Sequence, residues 1–279
     1  MTMRLIDGRA LSQQLCTHVH QEVATLPSTP CLAVIYVGDD PATQVYVGRK
    51  RDMAMALGME SRVMHFPAIV TFQELYETIS SLNQDAKVRG ILLQMPLPPH
   101  LDRFALLEAI APHKDVDGLT SQNLGLLAAG HPRFVPCTPQ GCLRIIDHVG
   151  YDVIGKTVLM IGRSNIVGLP LSLLLGQRGA TVTVAHSQTV HLDQLTAQAD
   201  MIISAVGKPD LVKTIKPGAF IIDVGISRVE EDGLCRLAGD VALSVQATAG
   251  YLTPVPGGVG PMTVACLMYN TLQACKATL

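Results

Sequence analysis

The chain has no surplus of charge of either sign. Its 21 Lys and Arg against 23 Asp and Glu leave a formal net charge of −2, so it lacks the basic field that a phosphate-backbone binder needs, and no nucleic-acid partner is expected. Long apolar runs are missing too. Runs such as 157–161, 171–175 and 219–222 fall far short of the roughly 18 residues of a membrane span, so no membrane association is expected. The opening MTMRLIDGRALSQQL carries Asp7 and no continuous apolar stretch, and it reads as the start of a mature domain rather than a signal peptide. The seven Cys (16, 31, 137, 142, 235, 266 and 275) are odd in number and contain no Cys-x-x-Cys pair. They imply reduced, mostly core-packed thiols in a reducing, cytoplasmic compartment. The nine His form no His-x-x-x-His pair or His/Cys cluster, and His18 and His20 would face opposite ways on a helix, so no metal is expected. No Gly-Lys-Ser/Thr follows the Gly162–Gly168 turn, so that turn is not a Walker phosphate loop.

What is present is an ordered chain, 48% hydrophobic and 16% charged, whose 279 residues suffice for two domains of about 150 residues. Short β-branched runs alternate with helical patterns. Strands are expected at 32–37, 62–66 and 90–95, with helices around 41–57 and 72–83, the second opened by the capping box Thr71-x-x-Glu74. The same grammar returns with strands at 156–161, 181–185, 200–204 and 219–224 and helices starting near Gly168 and His191. This is an α/β chain with a mostly parallel, doubly wound sheet. Between the halves, Pro136-Cys-Thr-Pro139 predicts a helix capped by Thr138 with Pro139 as its first residue. A second punctuated stretch, Thr253-Pro-Val-Pro-Gly-Gly-Val-Gly-Pro261, precedes the last helix, which is expected to return to the first lobe. The expected domains are 1–138, completed by 260–279, and 139–259, with a ligand cleft flanked by the two proline-rich crossings.

In the second lobe, Lys156-Thr-Val-Leu-Met-Ile-Gly162-Arg-Ser-Asn-Ile-Val-Gly168 runs from strand through a glycine-bounded turn into a helix, the setting in which a helix N-terminus receives a phosphate. Its spacing, Gly-x5-Gly, is not the dinucleotide fingerprint, so the stretch is either that site or a structural turn. The next strand ends in His186-Ser187-Gln188, with no Asp or Glu for a ribose 2′-hydroxyl. Ser187 with Arg163 suits a 2′-phosphate, unless Arg163 is only a solvated loop residue.

In the first lobe, Tyr46 and Lys50 are four apart and share a helix face. Together they are either a stacking ring with a desolvated base or two surface side chains. Gln94, at the carboxyl end of a strand, either orients a neutral Lys50 or is a loop amide. In Lys114-Asp115-Val-Asp117-Gly118, one carboxylate either grips the paired N–H groups of a heterocycle or serves the turn.

Together VGDDPATQVYVGRK, GILLQMPLP, KDVDGLT, PCTPQG, GRSNIVGLP, TVTVAHSQT, DVGI and TPVPGGVGPMT, in this order across nearly the whole chain, resemble the bifunctional methylenetetrahydrofolate dehydrogenase/cyclohydrolase family. The resemblance implies an N-terminal α/β folate-binding domain and a Rossmann-like cofactor domain. It implies NADP-dependent oxidation of 5,10-methylenetetrahydrofolate to the methenyl form, then hydrolysis to 10-formyltetrahydrofolate. It implies Lys50 as the catalytic lysine, Tyr46 as the ring stacking on folate, Gln94 as the lysine's partner and Asp117 as the carboxylate gripping the pterin. Pro256, Gly257 and Gly258 would line the folate cleft, and Gly162, Arg163, Ser164, Ser187 and Ile226 would contact NADP. A homodimer with tetrahydrofolate substrates, serving one-carbon metabolism and purine biosynthesis, is also implied, with two activities rather than three because no synthetase segment is attached. The chain departs from the family pattern at Leu169 and Gln188, where basic residues are common, and at Thr43, Ser227 and Ala242; the first two remove charge that would favour NADP over NAD. Alternatives are a shikimate-type dehydrogenase, against which the Pro-Gly-Gly-Val-Gly-Pro loop argues, and a non-catalytic nucleotide sensor, which has no need of Lys50 with Gln94. A short-chain dehydrogenase is opposed by the order of its motifs, since there the glycine loop precedes the Tyr-x-x-x-Lys.

Overall fold

The computed structural model describes residues 3–231 and 234–278; the side chains of residues 231, 234 and 235 lie outside the described residues, and with them the reading of Cys235 as a core thiol. The elements are, in chain order, β1 (Arg4–Leu5), α1 (Gly8–Val23), β2 (Cys31–Val37), α2 (Pro41–Ala56), β3 (Glu60–Phe66), α3 (Phe72–Gln84), β4 (Val88–Leu93), α4 (Arg103–Glu108), α5 (Ser121–Ala128) and α6 (Cys137–Val149). They continue as β5 (Thr157–Ile161), α7 (Gly168–Gln177), β6 (Thr181–Ala185), α8 (Leu192–Gln198), β7 (Met201–Ser204), β8 (Phe220–Asp223), β9 (Ser227–Glu231), β10 (Leu234–Ala238), α9 (Leu243–Gln246), β11 (Tyr251–Leu252) and α10 (Val259–Lys276). Two compact units result, one of Gln13–Cys137 with Val264–Leu279 and one of Met1–Ser12 with Thr138–Thr263.

The first unit holds a parallel sheet of order β3-β2-β4. Its central strand, CLAVIYV, is buried along nearly its whole length, as a strand covered on both faces must be. Leu75 and Ile79 of α3, Ile91 of β4 and Leu106 of α4 close one core around Ile35. Thr71 and Glu74 form the expected capping box, each side chain accepting from the other residue's backbone N–H.

The second unit holds a six-stranded sheet of order β1-β11-β8-β7-β5-β6, parallel at every pairing. Its chain leaves β5 toward β6 on one side and returns to β7 on the other. The strand order therefore reverses between β5 and β7, and the crevice at their carboxyl ends is where such sheets bind ligands. Residues 1–12, grouped by local pattern with the N-terminal lobe, belong to this unit: Arg4 N–H donates to Gly250 O and Ile6 N–H to Leu252 O, both at 2.9 Å, so the N-terminus adds an edge strand. The expected cap at Thr138 is also corrected. The α6 helix begins at Cys137, and the Thr138 hydroxyl pairs with the Thr263 hydroxyl at 3.1 Å.

Candidate active site

In the first unit, α2 carries two of the candidate residues. Its start is set by Asp40, whose carboxylate accepts from the Thr43 N–H and hydroxyl, both at 2.8 Å, and by Pro41 in the first turn. One turn on, Tyr46 leaves 39% of its surface exposed, with the Arg49 guanidinium 6.0 Å from its ring centre. Four residues further, Lys50 Nζ donates to Gln94 Oε1 at 2.7 Å. The amide cannot turn round, because Gln94 Nε2 donates to Met95 O at 2.6 Å and the Gln94 N–H donates to Ile35 O at 2.8 Å. Gln94 therefore presents an acceptor to the lysine without adding a charge. Burial lowers the Lys50 pKa, with Asp117 and Cys137 opposing that shift.

The Lys114–Gly118 turn assigns its two carboxylates different work. Asp115 is consumed internally: its Oδ2 accepts from the Thr120 N–H and from Asn123 Nδ2, both at 2.8 Å. Lys114, also buried, donates to Leu82 O and Asp85 O at 2.9 and 2.8 Å, closing the end of α3. Asp117 is left beside Lys50. Burial raises its pKa, while Lys50 and hydrogen bonds from the Cys137 thiol and N–H hold the rise back. Burial likewise pushes the Cys137 thiol well above its ordinary range, reinforced by the Asp117 charge. Asn270 of α10 fastens this turn, donating to Val116 O and Val135 O at 2.9 Å. Cys137 and Asn270 were not legible as site-supporting residues in sequence, since each meets the turn through a contact of long sequence separation.

In the second unit, Gly162 has φ +111° at the end of β5, and a Cβ on Gly168 would fall 2.0 Å from Gly162 O. Only glycines permit this turn to fold so tightly onto the start of α7. Ser164 organises it from within: its Oγ accepts from the Val167 N–H at 3.2 Å and its carbonyl from the Leu169 N–H at 3.0 Å. Arg163 and Ser187 are exposed at the carboxyl ends of the paired strands β5 and β6. Val206, after β7, and Ile226, after β8, expose 48% and 43% of their surfaces, and Ser227 Oγ ties their two turns together by donating to Gly207 O at 2.8 Å. The donor set fits a dinucleotide: a glycine cradle at a helix start, a cation and a hydroxyl beside it, and open apolar side chains for rings. The Pro254–Pro261 loop lies in the same unit. Gly257 has φ +108°, the Gly258 N–H donates to Pro254 O at 2.8 Å, and Pro256 is exposed. Thus Tyr46, Lys50, Gln94 and Asp117 gather in one unit, while Pro256–Gly258 and the residues read as cofactor contacts belong to the other.

A doubly wound sheet with a glycine turn, joined in one chain to a second α/β unit holding a half-buried lysine, defines a two-unit nucleotide-dependent α/β enzyme. The chain belongs to the tetrahydrofolate dehydrogenase/cyclohydrolase family: it matches that family's catalytic domain over residues 6–117 and its NAD(P)-binding domain over residues 136–279. It is a bifunctional dehydrogenase and cyclohydrolase of one-carbon folate metabolism. It is 49% identical to the bifunctional protein FolD of Polaromonas naphthalenivorans (strain CJ2), with 99% of each chain covered. The FolD structure from Campylobacter jejuni is 42% identical with a TM-score of 0.96, covering 99% of this chain and 100% of that one. A Trypanosoma brucei FolD structure, complexed with NADP cofactor and inhibitor, is 38% identical with a TM-score of 0.96, covering 100% of this chain and 99% of that one. The likeness to a shikimate 5-dehydrogenase of Thermus thermophilus, at 13% identity and a TM-score of 0.51, is one of fold alone. Among the described residues no helix is long and apolar enough to cross a membrane.

Proposed function

We propose that this enzyme oxidises 5,10-methylenetetrahydrofolate to 5,10-methenyltetrahydrofolate with NADP, and adds water to the methenyl product to give 10-formyltetrahydrofolate. The observation that carries this reading is the 2.7 Å bond from Lys50 to a neutral amide in a site that lowers the lysine pKa. A deprotonated amine can take a proton from water attacking an amidinium carbon, whereas an ammonium would repel that cation. When bound, the nicotinamide accepts the hydride from the folate methylene carbon, so the protein's part in that step is to bind, orient and hold the reacting groups. Tyr46, open on α2, stacks on the folate. Asp117 accepts from the pterin N–H groups, and its raised pKa reflects the burial of the carboxylate. Pro256, Gly257 and Gly258 supply further folate contacts.

In the second step one proton of the attacking water passes to Lys50 as the C–O bond forms and gives a neutral carbinol; the bond from that carbon to the folate ring nitrogen then breaks as the carbinol oxygen becomes the formyl carbonyl, and the carbinol proton passes to the departing nitrogen. The lysine then returns its proton to solvent. Gly162, Ser164 and Ile226 hold the cofactor in this reading, and Arg163 with Ser187 takes the 2′-phosphate, which supports NADP over NAD. Leu169 and Gln188 bring no positive charge to that end, so the preference rests on Arg163 and Ser187. We further assign the protein as a cytoplasmic homodimer whose formyl product serves purine biosynthesis; thiols buried in the core, such as that of Cys31, suit a reducing compartment.

Absorbance-monitored oxidation of methylenetetrahydrofolate with NADP and with NAD in parallel, followed by decay of the methenyl chromophore, tests the reading. Faster turnover with NADP and rapid decay are expected. Turnover with NAD alone would reverse the cofactor assignment, and a persistent methenyl signal would remove the hydrolase step.

A further inference from the structure

Asp223 and Asp240 are buried in the second unit, and none of the proposed chemistry uses them. Asp223 ends β8. Its Oδ1 accepts from the N–H groups of Gly225 and Asp240 at 3.1 and 3.0 Å, and its Oδ2 from the Val241 N–H at 3.0 Å. Asp240 Oδ2 accepts from the Ser204 hydroxyl at 2.7 Å and the Val206 N–H at 2.9 Å, and its Oδ1 from the Lys208 N–H at 2.7 Å. Each carboxylate is seated against a glycine next to the other: a Cβ on Gly225 would fall 2.1 Å from Asp240 Oδ1, and one on Gly239 would fall 2.0 Å from Asp223 Oδ2. These bonds come from five backbone N–H groups and one hydroxyl. Two neighbouring carboxylates, buried among dipoles, carry a desolvation cost that a neutral joint would not.

The turns they hold are those that present Val206 and Ile226. The donors to Asp240 flank Gly207, and the Gly225 N–H bonded to Asp223 immediately precedes Ile226. We propose that Asp240 and Asp223 are positioning residues for the dinucleotide, a carboxylate clasp that fixes the turns after β7 and β8 in their binding shape before the cofactor arrives. This rests on the reading of that sheet edge as the cofactor site. Short exposed turns with open apolar side chains would otherwise relax, and binding would have to reorder them. The raised pKa of Asp223, about 6, reflects the same crowding of burial and the Asp240 charge.

The cyclohydrolase step, centred on Lys50 in the other unit, supplies an internal control. Asp240→Asn and Ser204→Ala are to be assayed for the NADP KM and kcat of the dehydrogenase, for NADP Kd by titration, and for methenyltetrahydrofolate hydrolysis without cofactor. Asp240→Asn is expected to raise NADP KM and Kd by about tenfold and Ser204→Ala by about threefold, with kcat and hydrolysis within about twofold of wild type. Unchanged NADP affinity in both variants overturns the clasp, as does a parallel loss of hydrolysis, which would mark a general structural role. If Asp240→Asn does not fold, Ser204→Ala decides in the same terms. Wild-type protein that neither turns over nor binds NADP overturns the functional reading and the clasp with it, whereas normal wild-type turnover with unaffected variants overturns the clasp alone.

Discussion

Lys50 and Gln94 lie 44 residues apart in sequence, and their side chains meet at 2.7 Å with the amide held by Met95 O so that only its oxygen can face the amine. A neutral acceptor orients the lysine yet leaves its pKa to be lowered by burial.

Lys50→Met should therefore reduce methenyltetrahydrofolate hydrolysis by at least about a hundredfold, the usual span of a general base, while NADP Kd stays within about twofold. Stopped-flow decay of the methenyl chromophore together with an NADP titration checks this. Equal losses of both would make Lys50 a structural residue.

Gln94→Glu should move the pH dependence of hydrolysis to the alkaline side. A carboxylate against Nζ favours the ammonium, so the Lys50 pKa rises and a higher pH is needed to free the amine. A pH–rate profile that keeps the wild-type midpoint would show that Gln94 does not govern the lysine's proton.

Asp117→Ala should raise the KM for folate by at least about tenfold, since a buried charge-assisted pair is lost, and leave NADP affinity unchanged. An unaltered folate KM would take Asp117 out of the binding site. Cys137, whose thiol is pushed up by burial beside that carboxylate, should resist alkylation in the native protein at pH 8 and react on unfolding, a difference that mass spectrometry reads directly.

Gly168→Ala should weaken NADP binding more than any other conservative change in its turn, because a methyl 2.0 Å from Gly162 O forces the backbone apart. Retained hydrolysis with lost dehydrogenase activity is the expected pattern. Near-normal NADP affinity would show that the turn does not carry the phosphate.

Asp223 gives stability a pH dependence of definite sign. Its pKa rises from 3.8 to about 6 on folding, so its contribution is fully present below the lower value and is lost as pH rises through the higher one. The stability of Asp223→Asn minus that of wild type should therefore increase between pH 4 and pH 7, by up to about 3 kcal/mol at 1.36 kcal/mol per unit. Denaturant titrations across that range would show it, and a flat difference would mean that Asp223 titrates normally.

Periodicity alone located β2, β4, β5, β7 and β8 to within a few residues, because a buried parallel strand must be a short apolar run and its ends must break, and it located the exposed edge strand β6 by its alternating Thr and Val. It also placed Tyr46 and Lys50 on one helix face, a consequence of the helical repeat. The resemblance singled out Asp117 over Asp115, but only the tertiary structure shows why the other carboxylate is unavailable: the Thr120 N–H and Asn123 Nδ2 occupy Asp115. Tertiary structure decided that the N-terminal residues complete the second sheet, since a two-residue strand has no pattern of its own and exists only by pairing with β11. The Asp223–Asp240 clasp belongs to the same class: a carboxylate's neighbours across 17 residues depend on how strands and turns pack, and no local spacing records them.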